Sequence, residues 1–298
     1  MNVSAAVAST LVKAALRASF KLPSRLPIPL TLLRSAMEGG AALFRVHPDV
    51  AIEAATLAGV SVEYITPLQA DRVLLHFHGG AFFAGSANTH RALGSEIAVR
   101  AQSKVVMVNY RRAPEYAYPA AMVDGLACYQ ALLDAGWLPS QISFGGDSGG
   151  CAIILSMAQT LRDRSQALPA ALLMISPYVD ITLSLPSVTQ MAGRDPMVTA
   201  HALRRGGDSY RGDISASDPR VSPLFGSLRN LPPMLVQAGS EEILLDDARR
   251  LARYASESGV EAQCHIYPGM WHNFQMFSAF IEDANLALDE IAAFIRSH

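Results

Sequence analysis

From residue 61 onward, short runs of β-branched and apolar residues alternate with longer stretches of helical period. Runs at 61–66, 72–77, 105–110, 142–145, 171–176, 234–238 and 262–267 read as strands. Stretches at 89–102, 122–135, 149–164, 243–258 and 279–296 read as helices. The runs VLLHF and VVMVNY are apolar without alternation, as expected of strands covered on both faces. The succession predicts an α/β fold, with a mostly parallel central sheet flanked by helices. Ligands of such sheets collect at the carboxyl ends of the strands, so the residues just after each strand are where chemistry is sought.

Two segments fall outside the alternation. Residues 1–45 are helical and apolar, and residues 181–220 are a mixed, loop-rich stretch. Neither carries enough periodic apolar sequence for a core of its own, so both are expected to pack on the main body. No repeat or low-complexity tract is present.

Composition narrows the possible functions. Half of the 298 residues are hydrophobic and 17% are charged, which suits a large core and excludes disorder. Net charge is −2, so there is no basic excess to meet nucleic-acid phosphates, and no nucleic-acid partner is expected. No apolar run approaches the ~18 residues of a membrane span. The apolar stretch 3–20 contains Lys13 and Arg17 inside it rather than before it, which predicts an amphipathic helix and not a signal peptide. Cys128, Cys151 and Cys264 are isolated, without CxxC spacing. They predict buried free thiols, no disulfide framework, no metal site and a cytoplasmic location.

Candidate chemistry begins at residues 142–155, where a strand runs into a helix through Gly146-Asp147-Ser148-Gly149-Gly150, a G-x-S-x-G pattern. The bare pattern is common, but between a strand and a helix it marks a turn that lifts the serine hydroxyl above the sheet. A serine is a poor nucleophile at neutral pH and needs a histidine base oriented by an acid. Four histidines follow Ser148. His265 lies inside a strand, His298 is terminal and His201 falls in the irregular segment. His272 lies in the loop after the last strand, where the base of such a sheet belongs. The acid candidates are Asp180, after an earlier strand, and Glu241, Glu242, Asp246 and Asp247, after the strand at 234–238. Gly79 and Gly80 follow the strand VLLHF. With Gly149 they can offer up to three backbone N–H donors to an oxyanion.

Five motifs in order, HGGAFFAGS at 78–86, YRRAPEYAYPAA at 110–121, GDSGG at 146–150, GSEEILLDD at 239–247 and YPGMWHNF at 267–274, resemble the hormone-sensitive-lipase-like, or bacterial family IV, carboxylesterases of the α/β-hydrolase superfamily. The resemblance runs from about residue 45 to 296. It implies an α/β-hydrolase fold with a helical cap. The cap would comprise helices within 1–45 and an insertion at 181–220, around a catalytic domain of 46–180 and 221–298. It also implies a cofactor-free serine esterase acting on short-chain acyl esters, with a small-molecule ester as its partner and pairing into a homodimer through the last strand and helix. In the family's pattern of an acid, any residue, leucine, any residue, aspartate, Glu242 takes the place of the triad acid. The implied site is then Ser148, Glu242 and His272, with Gly79, Gly80 and Gly149 as the oxyanion hole. Asp147, His78, Tyr110, Glu115 and Asp124 match structural positions. Arg112, Gly149 and Trp271 depart from the usual leucine, alanine and proline, and Trp271 is expected to narrow the pocket beside His272. An amidase or deacetylase on the same machinery is the alternative. A hormone receptor of this fold lacks the histidine that is present here as His272.

Overall fold

The computed structural model describes residues 3–26 and 28–298; residues 1, 2 and 27, part of the 1–45 segment, lie outside it. Eight strands form one sheet: β1 Val50–Leu57, β2 Val60–Pro67, β3 Arg72–Phe77, β4 Ser103–Val108, β5 Ile142–Asp147, β6 Leu172–Ile175, β7 Met234–Gly239 and β8 Ala262–Tyr267. Their order is β1-β2-β4-β3-β5-β6-β7-β8. From β4 to β8 all pairings are parallel, while β2 runs antiparallel to both β1 and β4.

Alternate residues of the parallel strands enter two different cores. Val73, Leu75, Phe77, Val106 and Val236 face one layer, with α4 Ala120–Asp134, α5 Gly149–Asp163 and α8 Leu245–Glu257. Leu74, Val105, Met107, Leu173 and Leu235 face the other, with α3 Ala87–Ala101 and α9 Glu282–Ser297. Burial on both faces is why these strands read as unbroken apolar runs.

Strand β1 went undetected in the sequence. It reads Val-Ala-Ile-Glu-Ala-Ala-Thr-Leu and is largely exposed, so it shows neither a two-residue period nor strong strand propensity. Pairing with β2 makes it a strand, through an eight-residue register from Val50↔Pro67 to Leu57↔Val60. The two-residue turn Ala58-Gly59 has positive φ at both positions, the geometry that suits a tight hairpin.

The N-terminal segment forms α1 Val3–Leu16, a π turn over Arg17–Lys21 and α2 Leu30–Gly40. The mixed, loop-rich 181–220 stretch contains α6 Ser187–Gln190 and the three-turn α7 Ala200–Arg211. Thr199 caps α7 by accepting the Ala202 amide, and Leu203, Gly206, Gly207 and Tyr210 bury its inner face. Among the described residues no helix is long and apolar enough to cross a membrane. Cys128, Cys151 and Cys264 are free thiols; the first two are buried as expected, but Cys264, on β8 at the sheet edge, is only half-buried.

Candidate active site

Ser148 stands between β5 and α5 at φ 52° and ψ −121°, a conformation that costs a non-glycine residue about 1–3 kcal/mol. Surrounding bonds hold it there. Its N–H donates to the Ile175 carbonyl at 2.9 Å, and its carbonyl accepts from Cys151 and Tyr178 at 3.1 and 3.0 Å. The helix passes so close to β3 that a Cβ on Gly150 would lie 1.9 Å from the Phe77 carbonyl oxygen. The oxyanion-loop candidate packs on the same turn. A Cβ on Gly79 would sit 2.3 Å from an Asp147 carboxylate oxygen and 3.2 Å from Ser148 Cβ. Among the described residues no backbone carbonyl accepts from the amides of Gly79, Gly80 or Gly149.

The loop is braced from behind. Tyr110 donates its hydroxyl to the His78 carbonyl at 2.9 Å, and its ring stacks on His78 at 4.4 Å. Burial, with His90 nearby, lowers the His78 pKa to about 3, so its imidazole is neutral at pH 7. His78 Nδ1 bonds the Gly79 carbonyl at 2.8 Å. Asp124 grips the backbone N–H and guanidinium of Arg111. Glu115 turns the other way, to Arg34 of α2, whose guanidinium also donates to the carbonyls of Phe83 and Ala113.

His272 follows β8 and Glu242 follows β7, and the two connecting segments are laced together. Ser240 N–H donates to the Tyr267 carbonyl at 3.0 Å, Glu241 N–H to the Met270 carbonyl at 2.9 Å, and Gly269 N–H to the Ser240 hydroxyl at 2.8 Å. The lacing sets His272 Nδ1 at 3.0 Å from Glu242 Oε2, with both side chains buried. A carboxylate only accepts, so Nδ1 carries the proton and Nε2 is left as the basic nitrogen. Burial alone would lower the His272 pKa. The hydrogen bond and charge of Glu242, with Asp195 and Asp147, outweigh it and raise the pKa above its ordinary 6.5. Burial pushes the Glu242 carboxyl above the usual carboxylate range, against the pull of His272 and the Ser176 hydroxyl.

The histidine loop is also fastened to the Ser148 turn. Asn273 donates through its side chain to Asp147 Oδ2 at 2.5 Å and through its backbone to the Ser176 hydroxyl at 3.0 Å. Asp147 is fully buried and meets His76 Nε2 at 3.1 Å and His90 Nε2 at 3.2 Å. Burial would raise its pKa, but the His90 charge and the bonds from both imidazoles hold it well below the usual carboxylate range. Residues adjacent to Ser148 and to His272 are thus bonded directly to each other.

The other acid candidates are engaged elsewhere. Asp180 accepts from the Thr182 amide and hydroxyl, and Asp246 Oδ2 accepts the Ser187 amide. Asp246 and Asp247 lie in the first turn of α8, yet Asp247 is buried and its Oδ1 takes the amides of Val179 and Asp180, bracing the segment after β6. Glu241 reaches outward to Lys13 of α1 at 2.7 Å. His201 lies exposed on α7, and His265 pairs with Glu290 at 2.6 Å.

A family model described as an alpha/beta hydrolase fold matches residues 74–276. An esterase of Acinetobacter venetianus is 42% identical over 284 residues, covering 95% of this chain and 94% of its own. The crystal structure of an esterase from the bacterial hormone-sensitive lipase family superposes with a TM-score of 0.93 at 33% identity, covering 97% of each chain. The chain belongs to the hormone-sensitive-lipase-like carboxylesterases of the α/β-hydrolase fold. An acetyl-hydrolase of Streptomyces hygroscopicus is 35% identical to this esterase over 243 residues, 81% of either chain.

The esterase's three departures from its family each have a local setting. Arg112 donates to the Gly85 carbonyl and so closes the loop that begins at Gly79. A Cβ at Gly149 would lie 3.3 Å from Phe82, whose ring stacks at 4.0 Å on Tyr210 of α7. Trp271 is fully buried among Leu16, Phe20, Met197 and Phe277, with Lys13 at 5.6 Å from its ring. Reasoning from sequence missed four residues of this surround: His76, His90, Asn273 and Asp195. The first three converge on Asp147 from distant parts of the chain, and no local signal marks them. Asp195 had one, since an Asp-Pro pair commonly starts a turn.

Proposed function

We propose that this esterase hydrolyses short-chain acyl esters with Ser148 as nucleophile, His272 as base and Glu242 as the acid that orients it. The observation that carries the reading is the buried 3.0 Å contact between His272 Nδ1 and Glu242 Oε2 on a loop bonded to the Ser148 turn. Ser148 Oγ attacks the ester carbonyl as His272 Nε2 takes its proton, and the resulting imidazolium is stabilised by Glu242. The amides of Gly79, Gly80 and Gly149 receive the oxyanion. His272 returns the proton to the departing alcohol and then activates water, which releases the acid and restores the serine. No cofactor enters these steps. Preference for short acyl groups is supported by the acetyl-hydrolase relative. The helices of 1–45 and the insertion 181–220 act as a cap over the site. In support, Arg34 clasps the oxyanion loop and Tyr210 stacks on Phe82.

The test is a series of p-nitrophenyl esters of rising chain length, with matched acetanilides, on the wild type and Ser148→Ala. Turnover of acetate and butyrate esters above longer chains and above anilides is expected, with a loss of about 10⁴ to 10⁶ in the alanine variant. More than a few per cent residual activity in a folded Ser148→Ala would overturn the assignment, and faster anilide turnover would make the enzyme an amidase.

A further inference from the structure

Asp195 is a fully buried carboxylate on the insertion, and the steps above make no use of it. Its Oδ1 accepts the amides of Met197 and Val198 at 2.9 Å each. Those two bonds suffice to close a local turn. Its other oxygen, Oδ2, reaches across to the core and accepts the Ile243 amide at 3.1 Å. Ile243 is the residue directly after Glu242. Burial raises its pKa above the usual carboxylate range, while the His272 imidazole and the three N–H donors pull toward the ionised form.

The neighbourhood fixes where this charge sits. Ser187, on the same insertion, donates its hydroxyl to the Ile243 carbonyl at 2.8 Å, so the insertion grips both polar groups of that peptide residue. Met197, two residues beyond Asp195, packs in the cluster that contains Trp271, the neighbour of His272. Lys21 of the N-terminal π turn donates to the carbonyl of Ala192 at 2.6 Å and to that of Asp195, tying the two cap segments together at this point. Asp195 therefore lies where the cap meets both the acid turn and the base loop.

We propose that Asp195 is a positioning residue for the Glu242–His272 pair: it sets the acid turn through the Ile243 amide and contributes negative charge to the field at the imidazole, so that the cap completes the base. This rests on the triad reading above. The charges that act on His272 are Glu242 from the turn after β7, which contacts it, and, at longer range, Asp195 from the insertion and Asp147 from the Ser148 turn; all three favour the imidazolium. Lys13 of α1, whose ammonium lies 5.6 Å from the Trp271 ring, is paired with Glu241. The sign of the effect follows. Removing the Asp195 charge lowers the His272 pKa, which moves the acid limb of kcat/KM to lower pH. It also withdraws support from the imidazolium formed in the transition state, so kcat falls.

The experiment uses the full-length enzyme with p-nitrophenyl butyrate. Asp195→Asn removes the charge and keeps an acceptor. Asp195→Ser is the second variant, should the amide pack badly, and circular dichroism reports folding. The expected result is a kcat lowered roughly 10- to 100-fold, the size of effect that misplacing a catalytic group produces, with KM within about twofold of wild type. The acid limb is expected to move to lower pH. Imidazole NMR in the Ser148→Ala background should show His272 titrating lower when Asp195→Asn is added, whether or not the enzyme turns over. Ser187→Ala, which loosens the same turn without touching a charge, should leave the limb in place. A folded Asp195 variant with an unmoved limb and unmoved His272 titration overturns the proposal even if kcat has dropped. Failure of the triad reading itself would register separately, as an active Ser148→Ala or Glu242→Gln.

Discussion

Replacing Glu242 with glutamine removes one charge and little volume from a site fully closed to solvent. The structure sets the size of the loss. Glu242 Oε2 lies 3.0 Å from His272 Nδ1, and neither side chain is more than 3% exposed, so solvent screening calls for no discount. Opposite unit charges at that separation attract by about 5.5 kcal/mol at an effective dielectric of about 20. This attraction exists only once His272 has taken the serine proton, so it stabilises the transition state and not the resting enzyme. At 1.36 kcal/mol per factor of ten, kcat should fall roughly 10⁴-fold. A glutamine amide facing Nδ1 also favours the tautomer with its proton on the wrong nitrogen, which acts in the same direction. The assay is the initial rate of p-nitrophenyl acetate hydrolysis at saturation, with circular dichroism as the folding control. Asp180→Asn is the comparison, because Asp180 is equally buried but gives Oδ1 to Thr182 and Oδ2 to Ser184 and Arg250. It should cost stability and leave kcat within a few-fold. A folded Glu242→Gln within tenfold of wild type would refute the reasoning. If Asp180→Asn were folded and inactive at the same time, the acid would belong to the segment after β6.

Other expectations follow from the same geometry. Because Ser148 sits at φ 52°, Ser148→Gly should abolish activity and yet raise Tm by about 2 °C, as relieving roughly 1–3 kcal/mol of strain outweighs the added chain entropy; an unchanged or lower Tm in thermal unfolding counts against strain at the turn. In the proposed mechanism the base is neutral His272, whose pKa is raised, so kcat/KM should fall on the acid side with a midpoint above 6.5, measured in constant-ionic-strength buffers. Glu241→Gln breaks only the part-exposed pair with Lys13, worth about 1 kcal/mol or less, so kcat should stay within about fivefold of wild type. Deleting residues 1–40 takes Leu16 and Phe20 off Trp271 and Phe277; it should lower Tm and shift the chain-length profile, and a truncated enzyme with an unaltered profile would contradict the cap assignment.

Much of this enzyme was legible in local sequence because its determinants are local. Apolar runs report strands buried on both faces. Glycines flanking a serine between strand and helix report a close crossing, and here Gly150 passes within a Cβ radius of the Phe77 carbonyl. His272 stood out by elimination, since the other three downstream histidines fell in a strand, an irregular segment or the terminus. Where structure arises from pairing, the pattern was silent. Strand β1 has the composition of a helix and is a strand only because β2 supplies its partner.

Which carboxylate meets His272 was a tertiary decision. Glu241, Glu242, Asp246 and Asp247 lie within seven residues and carry the same charge, so composition cannot rank them, and only the family's pattern singled out Glu242. Their fates diverge because the turn after β7 points successive side chains in different directions: Glu241 outward to Lys13, Glu242 inward to His272, Asp246 to the insertion and Asp247 back to the segment after β6. The same holds for the carboxylates that surround the pair. Asp147 gathers His76, His90 and Asn273 across separations of up to 126 residues, and Asp195 reaches Ile243 across 48. A sequence specifies backbone conformation over a few residues. The field at a buried imidazole is the sum over charges brought near it by the whole fold, and it came into being only when the sheet, the helices and the two outlying segments closed around it.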